Sequence, residues 1–149
     1  MNTQPQQAHS LPTASITRDA AVSLIDAARA AAAEIGINVA VAVTDAAGNL
    51  KAFERTDGSP FLTVEVAVDK AWTAASYEIS THVWNTYLTT DTKVAQLAHR
   101  PRLVAVGGGY PIRENGLLIG GLGVSGGTYV QDQQIAEAAL RALGLQVPG

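Results

Sequence analysis

The sequence has 149 residues and no cysteine, with a formal net charge of −3 and a pI near 5.5. This composition excludes disulfide bonds and cysteine-based metal or nucleophile sites, and it argues against a nucleic-acid partner. The length fits one domain with a modest core. Only 15% of the residues are charged, below the roughly 25% of typical soluble domains. We interpret the deficit as self-association, with a large apolar pocket or simple alanine richness as the alternatives.

The N-terminal segment differs in composition from the rest of the chain. Residues 1–14 are polar and rich in glutamine and proline, and we expect a disordered tail or an arm that packs on a neighbour. The segment has no basic start and no apolar centre of the kind that marks a signal peptide. No window of 18 apolar residues occurs, so we expect no membrane span and a cytoplasmic protein. Residues 15–146 form the single predicted domain.

The first predicted helix covers residues 17–35. Thr17 can cap its N-terminus and Gly36 its C-terminus. Four apolar residues repeat at helical spacings of 4, 3 and 4, namely Leu24, Ala28, Ala31 and Ile35. A single apolar face of this kind packs against one layer of a core.

A strand pair follows the first helix. Residues 38–45 place valines at alternate positions 39, 41 and 43, with alanines between them. The pattern predicts a strand with one branched face and one thin face that a helix can approach closely. A turn at 45–49 then leads into a returning strand over residues 50–55.

Helical periodicity returns after a loop at residues 56–60. Apolar residues at spacings of 4, 3, 4 and 4 predict a helix over residues 61–79. Residues 80–100 carry a weaker pattern, which favours a shorter helix and a further helical turn ending near His99.

The second half of the chain is rich in glycine. Two or three more strands are predicted, over residues 110–113 and 117–124 and, as a short apolar segment, over residues 103–106. Asn115-Gly116 is a strong hairpin signal, because both residues tolerate the positive φ of a type I′ turn. A final helix covers residues 129–143. Two hairpins with helices between them predict an α+β layer architecture around an antiparallel sheet.

The longest motif runs from Gly108 to Gly126 and reads GGYPIRENGLLIGGLGVSG, with Asp132 and Ala136 on the helix that follows. It resembles the signature of the GlcG/HbpS-like family, which includes the C-terminal domain of PduO-type proteins. Segments at 45–48, 57–58 and 70–75 also have counterparts in that family. The resemblance covers roughly residues 17–143.

The resemblance implies a profilin-like fold with a five-stranded antiparallel sheet flanked by helices. It also implies homo-oligomers up to octamers, haem binding in some members, a haem-degrading label and a corrinoid or haem connection for the PduO-type domain. The chain departs from the family pattern at Tyr110, where a small aliphatic residue is expected, and in the aromatic segment 82–87. Both differences can reshape a pocket.

The leading functional hypothesis is a small-molecule-binding protein of the haem-binding type. The ligand would be haem or another planar or carboxylated molecule, held at the bend Gly107–Gly109. Haem iron is often held by histidine, which makes His99 a candidate and His82 a second one, while His9 lies in the tail. No residue pair has the spacing of a dedicated metal site. The predicted ligand-binding residues are Arg55, Lys70, His99, Arg102, Gly107, Gly108, Gly109 and Tyr110.

Each of these residues also has an ordinary structural interpretation. The glycines fit a tight bend that lets the backbone approach another element, and they lack the lysine and hydroxyl residue of a P-loop. His99 and Arg102 fit a solvated loop, and Lys70 fits a solvated or ion-paired lysine. Aromatic residues such as Trp84 and Tyr87 either wall a pocket or pack in a core or interface.

Two other functions stay open from the sequence. The same pocket could serve a cofactor-free lyase or isomerase, with Asp57 or His99 as the catalytic base and an arginine stabilising the oxyanion. Asp57 also suits a plain capping role in its turn. The third hypothesis is that the protein is a structural or accessory subunit that stabilises a neighbouring enzyme.

Overall fold

A computed structural model describes residues 6–149, so residues 1–5 of the predicted tail lie outside the described part. Four α-helices, one short 3₁₀ helix and four strands make up this region. The helices are α1 (Arg18–Ile35), α2 (Leu62–Tyr77), α3 (Thr81–Thr90) and α4 (Tyr129–Ala142), and the 3₁₀ helix is Val94–His99. The strands are β1 (Ala40–Asp45), β2 (Leu50–Arg55), β3 (Gly109–Glu114) and β4 (Leu117–Ser125).

The strands form one antiparallel sheet in the order β2-β1-β4-β3. The two hairpins therefore meet through β1 and β4, where Ala42 pairs with Gly123. Helices α1 and α4 cover one face of the sheet, and α2 covers the other. The predicted α+β class, with an antiparallel sheet flanked by helices, is confirmed.

The two faces of the sheet differ in the size of their side chains. Val39, Val41 and Val43 join the large core under α1 and α4. On the other face, Ala40 and Ala42 form a small cluster with two alanines of α2. The branched and thin faces that the alternation in β1 predicts are both present, and the thin face lets α2 lie directly on the strands.

The expected number of five strands is wrong, because residues 103–106 do not pair with the sheet. Their backbone groups bond to side chains of the helical layer instead. The Val104 amide donates to the Thr73 hydroxyl oxygen at 3.1 Å, and the Ala105 carbonyl accepts from the Asn85 amide at 2.9 Å. Residues 103–105 are partly buried, but α2 and α3 rather than a strand supply the hydrogen-bond partners of Val104 and Ala105.

Several predicted ends of helices and turns are confirmed. The Thr17 hydroxyl accepts from the Ala20 amide at the start of α1, and Gly36 ends that helix with a φ of 74°. Asn115 and Gly116 have φ values of 52° and 78°, as their hairpin turn requires. Among the described residues, no helix combines the length and apolar character needed to cross a membrane.

Candidate functional site

The bend Gly107–Gly109 is pressed against other parts of the protein. Gly108 has a φ of 123°, and a Cβ atom there would lie 2.9 Å from Asp132 Cβ and 3.0 Å from Lys70 Nζ. A Cβ at Gly109 would come within 2.5 Å of a Thr81 methyl group. The Gly109 amide also donates to the Thr81 hydroxyl at 2.9 Å. The glycines therefore let β3 begin in close contact with α2, α3 and α4.

A buried ion pair lies directly under this bend. Lys70 Nζ donates to Asp132 Oδ2 at 3.0 Å and to the Val124 carbonyl at 2.9 Å. Asp132 Oδ1 accepts from the Gly127 amide at 2.9 Å. Lys70 is only 1% exposed. Lys70, which is predicted to contact a ligand, instead links α2 to β4 and α4 through these two hydrogen bonds.

Burial is the dominant influence on both charges of this pair. It lowers the pKa of Lys70, and the nearby Asp132 carboxylate offsets part of that change. It raises the pKa of Asp132, and here Lys70 opposes the change. Both shifts favour the neutral forms, as expected when charges leave water.

A cleft of about 470 Å³ opens beside the bend. Its size is within the range of small-molecule sites. Its lining residues come from the first half of α3, from the start of α4 and from the segment before β3. The Thr128 capping box fixes the first turn of α4. The cleft is lined by His82, Asn85, Thr86, Val106, Gly107, Tyr129 and Gln133.

His82 is the one imidazole among the lining residues. Its ring is half-buried, and within residues 6–149 its Nδ1 atom is buried without a hydrogen-bond partner. Most buried polar atoms in proteins are paired. Because Nδ1 is enclosed by protein, the imidazole can meet a ligand in the cleft only through its other ring nitrogen, Nε2.

Tyr110 forms a buried wall behind His82, with the two ring centroids 5.6 Å apart. Burial raises the pKa of Tyr110 to about 12, and the Glu137 carboxylate adds to the rise. The phenol is therefore neutral at physiological pH. Its hydroxyl has no partner of good geometry in the described part of the chain, although Gln133 lies close enough to moderate the pKa rise.

The remaining predicted residues lie elsewhere. Arg55 and Asp57 are exposed at the end of β2 and in the following turn, and His99 is exposed at the end of the 3₁₀ helix. None of the three lines the cleft. The structure therefore brings Gly107 and Tyr110 to the neighbourhood of His82, but not the two predicted bases.

Arg102 is engaged by side chains of α2. Its Nε donates to Asp69 Oδ1 at 3.0 Å, and its guanidinium lies 4.6 Å from the centroid of the Trp72 ring. Its own backbone has a φ of 71°. These contacts hold the side chain of Arg102 against α2.

Sequence reasoning did not single out Asn85, Thr86, Tyr129 or Gln133 as ligand contacts. Asn85 and Thr86 lie four and five residues after Thr81, so they depend on where α3 begins and which way it faces. Gln133 directly follows Asp132, a residue of the family motif, and this position next to the motif is the sequence feature that could have indicated a role for Gln133. A Cβ at Gly107 would collide with the Gln133 side chain.

A second depression of about 330 Å³ lies on another side of α3. We call it the aromatic groove, and it is lined by Tyr77, Ile79, Trp84, Tyr87, Val94 and Leu97. Tyr77 and Trp84 meet edge to face at 5.7 Å. Trp84 and Tyr87, two of the predicted aromatic wall residues, thus belong to this groove and not to the cleft of His82.

Comparison with protein families gives a match over nearly the whole chain. The model of the family described as "Haem degrading protein HbpS-like" matches residues 16–141. An uncharacterised 15.0 kDa protein of Citrobacter freundii, from the dhaT-dhaS intergenic region, is 36% identical over 129 residues. That match covers 85% of this chain and 91% of the relative. The corrinoid adenosyltransferase PduO of the same organism is 34% identical over 142 residues, or 89% of this chain and 42% of PduO.

Solved structures show the same fold. The Klebsiella pneumoniae protein ORFY superposes with a TM-score of 0.88 at 32% identity, covering 95% of this chain and 100% of ORFY. A complex of PduOC with haem superposes with a TM-score of 0.83 at 29% identity, covering 91% of this chain and 99% of that one.

Proposed function

Because the chain belongs to the HbpS-like family of haem-degrading proteins, we propose that it binds haem or another planar, carboxylated molecule in the cleft of His82. The single observation that carries the proposal is the half-buried imidazole of His82 in the lining of a cleft of about 470 Å³. The haem complex of a relative with the same fold supports the choice of ligand. The corrinoid chemistry of PduO belongs to a protein of which this chain matches less than half.

The side chains of the cleft fit haem in three respects. His82 would supply its Nε2 atom as a ligand for iron, the role that histidine has in many haem proteins. Val106 and Tyr129 supply apolar and aromatic surface for the face of a macrocycle. The amides of Asn85 and Gln133 can donate to a carboxylate, although the lining has no cationic side chain. When bound, haem would supply a redox-active iron, and the residues of this chain would position it.

The proton-transfer alternative receives less support. Asp57 and His99 are both exposed to solvent and outside the lining of the cleft, whereas a general base usually works beside its bound substrate. The predicted oxyanion partner was an arginine of unspecified position, and Arg102, the arginine proposed for ligand binding near the bend, is already paired with Asp69.

A titration with haem tests the proposal, followed by absorbance in the Soret region. We expect saturable one-to-one binding by the natural protein and at least about tenfold weaker binding by His82→Ala, because the iron loses its ligand. His99→Ala is the matched control and should bind as the natural protein does. Absence of binding by the natural protein, or equal binding by His82→Ala, would refute the assignment.

We also propose that the chain forms homo-oligomers, up to the octamers that the family resemblance implies. The low charged fraction of 15% supports this, as do large apolar side chains that are exposed in the single chain. Monomeric proteins rarely expose large contiguous apolar patches.

A further inference from the structure

Two exposed apolar features at opposite ends of α2 are not explained by the fold or by the cleft of His82. At the N-terminal end, Phe61 is 84% exposed and Leu62 is 66% exposed. We call these two residues the apolar knob. At the C-terminal end, Tyr77 is 72% exposed and forms part of the aromatic groove. Large aromatic side chains with such exposure commonly mark an interaction surface.

We propose that the aromatic groove of one copy receives the apolar knob of a second copy. This inference rests on the proposed self-association and names its surface. It does not depend on the ligand of the cleft.

The position of the two features suits a two-fold symmetric pair. Helix α2 has 16 residues and is therefore about 24 Å long. A two-fold axis that crosses the middle of α2 exchanges its two ends. Each knob then meets the groove of the partner, and a closed dimer forms in which the same surface is used twice.

The buried area also fits this occupant. An aromatic side chain carries about 150–250 Å² of surface. Covering the exposed parts of the knob and of Tyr77, Tyr87 and Leu97 would remove on the order of 600 Å² from each copy, or about 1,200 Å² in total. That total reaches the lower end of the range for stable protein interfaces, about 1,200–2,000 Å².

The charges at the middle of α2 suit the same arrangement. Asp69 and Arg102 form an ion pair at 3.0 Å there, and both side chains are partly exposed. A two-fold axis near this pair would place charges of opposite sign from the two copies close together. When a surface carries positive and negative side chains close to the two-fold axis, two copies of it can pack together without like-charge repulsion.

The first test is the mass of the protein in solution, measured by light scattering after size exclusion. We expect the natural protein to be at least a dimer. Phe61→Glu in the knob and Tyr87→Glu in the groove should each halve the mass at the same concentration, with unchanged circular dichroism. Leu117→Glu is the control, because Leu117 is exposed on the β3–β4 hairpin outside both features.

The second test uses the absence of cysteine in the natural chain. Phe61→Cys and Leu97→Cys proteins are mixed, allowed to exchange subunits and oxidised. The mixture should give a disulfide-linked dimer, while neither protein should do so alone. This separates knob-in-groove contact from other ways of associating.

The outcomes are distinct. A natural protein that is monomeric at micromolar concentration overturns both the self-association and its surface. A natural oligomer whose mass is unaffected by both glutamate variants, or equally reduced by Leu117→Glu, overturns the surface alone. If the natural protein does not bind haem, the proposed contact between knob and groove is unaffected.

Discussion

The two faces of the sheet are built on different principles. The face under α1 and α4 holds branched and large side chains such as Val41, Leu122 and Leu140, which interlock in a conventional core. The face under α2 holds alanine and glycine, so that the helix backbone almost touches the strands. The buried ion pair and the cleft of His82 both adjoin this second face. Close backbone packing leaves less room for adjustment there, and it fixes the geometry of the site.

The largest effect should come from adding a single methyl group on the α2 face. Gly123 and Leu122 are neighbours in β4 but point to opposite faces, and a Cβ at Gly123 would collide with the Ala67 carbonyl. We expect Gly123→Ala to destabilise the fold more than Leu122→Ala, whose expected loss is about 2–5 kcal/mol. Urea unfolding measures both. The comparison of faces fails if Gly123→Ala is the milder change.

The next largest effect concerns the ion pair. Asp132→Ala leaves the Lys70 ammonium buried without its partner, and we expect a loss of about 3–5 kcal/mol. The double variant Lys70→Met, Asp132→Leu replaces both charges by apolar groups and should be close to neutral. Equal destabilisation by the single and double variants would show that the charges themselves stabilise the fold. Both can be measured by the same urea titration.

The pH dependence of the same pair should be smaller but has a definite sign. The pKa of Lys70 is lowered in the folded state. The buried ammonium therefore destabilises the fold, and this destabilisation disappears as the pH rises towards 10.5, the pKa of lysine in the unfolded chain. The pKa of Asp132 is raised in the folded state. The destabilisation caused by the buried carboxylate therefore disappears as the pH falls towards 3.8, the pKa of aspartate in the unfolded chain.

Relative to the double variant, the natural protein should therefore be least stable between these limits and gain at both ends. Unfolding free energies of the two proteins, measured in parallel from acid to alkaline pH, give this difference directly. A maximum near neutral pH would contradict the assigned directions.

The smallest effect should come from the cap of α4. The Thr128 hydroxyl accepts from the Gln131 amide, and the Gln131 side chain bonds back to the Thr128 amide. Thr128→Ala should therefore cost about 1 kcal/mol. Since this turn positions Tyr129 and Gln133 in the cleft, the variant should also weaken haem binding modestly. An unchanged midpoint of thermal unfolding would show that packing alone holds the turn.

Local chemistry made much of the fold predictable from the sequence. The alternation in β1, the cap at Thr17 and the Asn115-Gly116 turn each depend on neighbouring residues. The fifth strand was wrong because the pairing of residues 103–106 depends on Thr73 and Asn85, which are distant in the chain. The profilin-like description of the fold stays a prediction.

The candidate site was harder to predict for the same reason. The motif around Gly108 includes a bend beside the candidate cleft, but the cleft lies between α3 and α4, and sequence spacing does not reveal how these two helices are placed. His82 was considered beside His99, and their different surroundings follow only from tertiary packing. The predicted roles of Arg55, Asp57, His99 and Arg102 stay untested, although the geometry favours residues of α3 and α4.

The most direct test of the account is rescue of the iron ligand. His82→Gly removes the imidazole and leaves space for a free one. We predict that the Soret band of haem added to this variant differs from that of the natural protein, and that added imidazole restores the natural spectrum. A natural spectrum in His82→Gly without imidazole would contradict the placement of haem at His82.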